Sequence, residues 1–196
     1  MTFATSPDWL AHPGTVGRAV SGTVHIMAED NETELAIGEE GGVYFEGEGS
    51  FEYHDDPEKT KASRNSKGWT TLGDVGKLDE DGFLYLTDRK DFMIISGGVN
   101  IYPQAIEDAL ILHPKVMDVA VIGQENSEYG EQVLAVVQPK NWADVASGLE
   151  GELRAWCADK ISPVTQPRAY QFIAELPRLE SGKNAKHALK AVISGS

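Results

Sequence analysis

Residues 87–103 read TDRKDFMIISGGVNIYP, and three pieces of different physical character meet there without a gap. A charged cluster comes first: Asp88, Arg89, Lys90 and Asp91. The apolar residues Phe92, Met93, Ile94 and Ile95 follow, with the composition of a short buried strand. Next are Ser96, Gly97 and Gly98; paired glycines mark a tight hairpin turn, where backbone without Cβ atoms can lie close to a ligand. Pro103 suits the first position of a helix over 104–112, whose apolar residues recur at helical spacing. A charged joint, a strand, a glycine turn and a helix start together predict a domain boundary near residue 90.

Outward from that boundary the two sides differ in pattern. Residues 1–13 give no clear element. Between 16 and 53, glycine-punctuated apolar runs predict strands over 23–27, 34–37 and 43–46, as in a small antiparallel barrel or sheet. Asp55, Asp56 and Pro57 mark the start of a short helix reaching 59–63. Strands over 69–72 and 83–86 flank a turn at 80–82. Beyond 91 the chain alternates: strand 92–95, helix 104–112, strands 116–122 and 132–138, helix 151–161, strand 170–175 and a helix over 184–192, with 142–151 a polar connection. The fold class is therefore α+β. A small β-rich, barrel-like subdomain over 1–90 precedes a compact α/β domain over 91–196, roughly the size of an independent domain.

Composition narrows the function classes. With 41% apolar and 24% charged residues, the 196-residue chain is ordinary for a globular protein with a real core. No apolar run approaches the roughly 18–20 residues of a membrane span, and the N-terminus lacks a basic-then-apolar signal, so cytoplasm is the expected compartment. A formal charge of −14 disfavours nucleic acid or an anionic membrane as the main partner. The single cysteine, Cys157, excludes an internal disulfide, and its place on the apolar side of helix 151–161 predicts a buried, inert thiol. His12, His25, His54, His113 and His187 lack metal-ligand spacing, and no metal site is expected. The carboxylates at 55–56 and 79–81 read as turn chemistry, and no GxSxG, HExxH or Walker pattern occurs.

The stretch 87–103 resembles the hinge and glycine turn of the adenylate-forming enzymes: acyl- and aryl-CoA synthetases, peptide-synthetase adenylation domains and luciferases. Its wording is nearest the acyl-CoA synthetase branch, GRxDxxIISGGxNIYPxEIE. The resemblance continues in Gly73-Asp74 upstream and in Leu176-Pro177-Arg178-Leu179-Glu180-Ser181-Gly182-Lys183 downstream. Three motifs in the family's order and separation are specific where any one alone would be weak, and the resemblance covers nearly the whole chain.

The resemblance implies a role for each matching residue. Asp74 matches the ribose-binding aspartate, a task that the two oxygens of a carboxylate suit, although Leu72 stands where the family has threonine. Arg89 matches the arginine that holds the ribose near the phosphate, and Asp91 the hinge on which a C-terminal domain swings between two catalytic poses. Ser96, Gly97 and Gly98 match the turn lining the pantetheine channel of CoA-using members. Lys183 matches the catalytic lysine of adenylation, while Lys186 and Lys190, at four-residue spacing, read as solvated surface. ATP, Mg²⁺ and CoA are the implied cofactors and co-substrates, with a carboxylic acid as substrate; an acidic surface does not forbid them, because such sites need only local positive charge. The family's phosphate-gripping loop and its aromatic-Gly-x-Thr-Glu segment are absent from this sequence. The expected reading is thus the C-terminal part of an acyl-CoA synthetase, working with an N-terminal domain that binds most of the magnesium, and inactive alone. Two other readings stand beside it: a non-catalytic binding or regulatory module of the same fold, and a CoA-independent adenylation domain.

Overall fold

Thr5 caps the first helix, α1 (Ser6–Ala11). Its hydroxyl accepts from the Asp8 amide at 3.3 Å, and the Asp8 carboxylate accepts in return from the Thr5 amide at 3.0 Å, closing a capping box. The computed structural model describes residues 1–47, 51–178 and 185–194, and the chain divides into two compact units, Met1–Asp91 and Phe92–Ser196.

In the first unit β1 (Thr2–Phe3) pairs antiparallel with β2 (Arg18–Ala19). The strands β3 (Thr23–Met27), β4 (Gly41–Glu46), β5 (Asp74–Leu78) and β6 (Leu84–Arg89) form an antiparallel sheet in that order; among the described residues no pairing of β3 with β6 closes it into a barrel. Val24, Ile26, Val43 and Leu84 are buried together, with Leu35, Phe45 and Leu78 packed against them. Each such side chain contributes about 1.5–3 kcal/mol by leaving water. Between β4 and β5, α2 (Pro57–Ala62) begins as expected, with the Asp56 carboxylate accepting from the Lys59 amide at 2.9 Å.

Two strand expectations fail here. Residues 34–37 make only an isolated bridge, Met27 to Glu34, and residues 69–72 only bridges from Thr70 to Phe45 and Arg64. The sheet instead takes β5, whose sequence DVGKL carries a central glycine and two charges and so lacks the β-branched run that marks a strand. The Lys90–Phe92 turn, a single 3₁₀ turn, then leads to the second unit.

The second unit opens with β7 (Ile94–Ser96) and β8 (Val99–Ile101), joined by Gly97 and Gly98. Both glycines have positive φ, 57° and 79°, as a two-residue type I′ hairpin requires. Pro103 starts α3 (Pro103–Ile111). The long hairpin of β9 (Val116–Asn126) and β10 (Gly130–Pro139) pairs along its whole length. β11 (Ala169–Phe172) runs parallel to β10, and the sheet order is β11-β10-β7-β8 with β9 also on β10. The stretch read as a polar connection contains α4 (Trp142–Ala146), capped by the Asn141 carboxamide oxygen accepting from the Ala143 amide at 3.0 Å. α5 (Leu149–Ala158) and α6 (Lys186–Ser194) complete the unit.

The strands expected over 116–122 and 132–138 are present in β9 and β10, and their continuous apolar runs at 119–122 and 133–137 are covered on both faces. Val119, Val121, Val133, Ala135 and Val137 meet Ile106 and Leu110 of α3 and Leu153 and Cys157 of α5. On the other face, Ala120, Ile122, Leu134 and Val136 meet Leu176, from the segment after β11, and Leu189 of α6. Cys157 is fully buried, and burial pushes its thiol above the ordinary range, so it packs as an inert apolar group, as its position in the sequence implies.

Candidate functional site

Asp74 opens β5 and Arg89 closes β6, and the two are directly paired across the strands. The Arg89 Nε lies 3.2 Å from Asp74 Oδ1, with the arginine side chain 57% exposed and the aspartate 23%. The ladder is extended past this pair by the Lys90 amide, which donates to the Gly73 carbonyl at 2.8 Å. An ion pair this open is worth at most about 1 kcal/mol, so a ligand can displace it at little cost. The site then offers a two-oxygen acceptor for vicinal hydroxyls beside a planar, permanently charged donor for an anionic oxygen. Asp74 thus starts a strand, where sequence reasoning put it after one. The pairing with Arg89 depends on a bulge between Val75 and Gly76. Leu72, in place of the family's threonine, is exposed.

Ser96, Gly97 and Gly98 form a second feature, in the second unit. Ser96 is buried and pairs with Gly130. The Gly97 amide donates to the Tyr129 carbonyl at 2.9 Å, and the Ile95 amide donates to Glu131 Oε2 at 3.1 Å. Beyond these ties the tip is bare: a Cβ on Gly98 would meet nothing within 4 Å, and one on Gly97 only the edge of the Tyr129 ring at 3.4 Å. The backbone there is open to a thin chain passing close by.

Lys183 lies outside the described residues. The residues on either side of its segment are tied together by the Ala185 amide, which donates to the Pro177 carbonyl at 2.8 Å, and Arg178 pairs with Asp118 of β9. Lys186 is not the solvated residue that its spacing implies: it is buried, and its Nζ lies 2.8 Å from Glu107 Oε1. That oxygen also accepts from the Val121 amide at 2.6 Å. Lys190 is more open but lies 3.1 Å from Glu131 Oε1. A sequence signal for the buried pair did exist: Glu107 stands in the buried stripe Pro103, Ile106, Glu107, Leu110 of α3, where an acidic side chain needs a partner. Lys186→Ala strands that carboxylate. Urea unfolding of this chain is therefore expected to show the second unit destabilised by about 3–5 kcal/mol.

Asp91 is exposed within the Lys90–Phe92 turn, at the division between the two units. Among the described residues no group of three or more His, Cys, Asp or Glu side chains is arranged to hold a metal ion, and no helix is long and apolar enough to cross a membrane. The buried histidine His25 sits between Glu34 at 2.7 Å and Glu46 at 3.3 Å and stacks on Trp69, a packing role.

The structure therefore brings Asp74 and Arg89 together in one unit and presents Ser96–Gly98 separately in the other. Against this geometry, the sequence profile of the AMP-binding enzyme C-terminal domain matches residues 105–183. The 2-succinylbenzoate–CoA ligase of Geobacillus kaustophilus is 41% identical over 141 residues, covering 72% of this chain and 28% of that protein. Among solved structures, the o-succinylbenzoate CoA synthetase of Bacillus subtilis, in complex with its acyl-adenylate intermediate, aligns with a TM-score of 0.82 at 28% identity, over 95% of this chain and 37% of that one. An amide bond synthetase from Marinactinospora thermotolerans aligns with a TM-score of 0.75 at 33% identity, over 92% of this chain and 36% of its own. The chain spans about a third of the length of the curated relatives it matches.

Proposed function

Since the chain belongs to the adenylate-forming enzymes, carrying the C-terminal portion of that architecture, we propose that it serves an acyl-CoA synthetase of the AMP-forming type. In the first half-reaction a carboxylate oxygen attacks the α-phosphorus of ATP, the bond to the β-phosphate oxygen breaks, and acyl-adenylate and pyrophosphate result. Asp74 accepts hydrogen bonds from the ribose hydroxyls, Arg89 steadies the ribose and phosphate, and Lys183 balances the charge that gathers on the carboxylate and α-phosphate. In the second half-reaction the second unit turns about Asp91, removing Lys183 and presenting Ser96, Gly97 and Gly98 to CoA. The CoA thiolate attacks the acyl carbon, and the carbon–oxygen bond to AMP breaks. Magnesium, when bound, screens the ATP phosphates, and its ligands belong mostly to the N-terminal portion. The single observation that carries the CoA step is the bare hairpin tip, which leaves room for a thin chain against backbone.

The test joins this chain to the N-terminal portion of the Geobacillus ligase, which brings its own acid pocket. The fusion is expected to release AMP only when 2-succinylbenzoate, ATP and CoA are all present, whereas this chain alone binds no ATP by calorimetry and releases no AMP. A folded fusion that makes no AMP in the full mixture overturns the proposal in favour of a non-catalytic module. The likeness to the amide bond synthetase supports a second reading, transfer of the acyl group to an amine without CoA. That reading prevails if an amine drives AMP release and CoA does not.

A further inference from the structure

We infer that Glu131 is the positioning residue of the Gly97–Gly98 hairpin, pinning it so that its tip meets the thiol-bearing arm of CoA; this rests on the hairpin role proposed above. β7 is three residues long and pairs with β10 only through Ser96 and Gly130. One position further along, where a strand ladder would offer a backbone carbonyl, the Ile95 amide donates instead to Glu131 Oε2 at 3.1 Å. An ionised carboxylate is a stronger acceptor than a carbonyl, so one side chain takes over from the missing ladder. The other oxygen, Oε1, receives Lys190 of α6 at 3.1 Å, which keeps the carboxylate from rotating away.

The neighbouring strand is shaped around this group. Gly123 of β9 lies opposite Val133 and is not among the residues of positive φ, so its backbone does not call for glycine. Space does: a Cβ at 123 would stand 2.5 Å from Glu131 Oε1, 2.6 Å from its Cδ and 2.8 Å from Oε2. A methyl group there must push the carboxylate off the Ile95 amide, while the flexible glutamate side chain, partly exposed, gives way without disturbing the core. Removing the acceptor, or displacing it, takes one tie from the β7 edge. Ile94 and Ile101 still root the base of the hairpin in the core, while toward the tip the described backbone ties to β10 and its turn are Ser96 with Gly130 and the Gly97–Tyr129 bond, about which the tip can tilt.

Two measurements test this. On this chain itself, hydrogen exchange read by NMR is expected to speed up at the Ile95 amide at least about tenfold in Glu131→Ala and in Gly123→Ala. Glu131→Gln, which keeps an acceptor oxygen, is expected to retain protection. In the fusion, Glu131→Ala and Gly123→Ala are expected to raise KM for CoA about tenfold in thioester formation from supplied acyl-adenylate, with the adenylation rate unchanged and Glu131→Gln near the parent. Unchanged exchange at Ile95 in both alanine variants overturns the inference, and so does equal loss of the two half-reactions. Failure of the hairpin role itself shows separately: Gly98→Trp then leaves thioester formation intact while the exchange result stands.

Discussion

Replacing Lys183 with alanine in the fusion is expected to slow acyl-adenylate formation on the order of 10²–10³-fold. Thioester formation from supplied acyl-adenylate should stay within about threefold of the parent, because under this proposal the lysine takes no part in that step. The asymmetry follows from where charge moves. In adenylation, an anionic carboxylate closes on an anionic α-phosphate, and a lysine ammonium relieves that repulsion most at the transition state. In the thiol step the phosphate is leaving, and no second anion approaches it except the thiolate at the acyl carbon. Lys186 and Lys190 are committed to Glu107 and Glu131, so neither supplies a mobile charge without first breaking its own pair. Pyrophosphate release in a single turnover reads the first half-reaction, and thioester appearance reads the second. Equal loss in both overturns the assignment. Lys186→Ala serves as the contrast: its effect should be on unfolding, with adenylation per folded molecule close to the parent.

What could be read in the sequence was what local chemistry dictates. Paired glycines between apolar runs demand a hairpin, Pro103 demands a helix start, and the apolar runs within 116–122 and 132–138 demand strands; the structure has all three. What escaped were elements whose stability comes from elsewhere. β5 carries Gly76 and two charges, and is held as a strand by the neighbours β4 and β6 on either side. α1 is six residues long and depends on the Thr5–Asp8 capping box, a signal too short to stand out. The site shows the same division. Asp74 and Arg89 are recognisable as residues, but their direct pairing across β5 and β6 depends on a bulged register that no spacing along the chain encodes. Glu107 and Lys186 are 79 positions apart, and only the packing of α6 makes one the partner of the other. Charged side chains at such spacings read as solvent-facing until the fold buries them.

Gly98→Trp is expected to give the mirror image of the lysine variant: thioester formation from supplied acyl-adenylate slowed on the order of 100-fold, since a small misplacement of one reactant already costs that much. Adenylation should remain within about threefold, the hairpin having no part in it under this proposal. Two effects of the substitution must be separated. Gly98 has a φ of 79°, so any side chain there incurs backbone strain, about 1–2 kcal/mol for the left-handed conformation. The space around it, however, is open, with no atom within 4 Å of where a Cβ would stand, so an indole can point outward while β7 and β8 keep their pairing. Gly98→Ala carries the strain without the bulk, and Gly98→Asn tolerates the conformation with moderate bulk. A channel role predicts Trp far below Asn, with Ala near the parent. If Ala falls as far as Trp, the loss comes from a distorted turn rather than an obstructed path. If Trp instead impairs adenylation alone, the hairpin does not serve the thiol step at all.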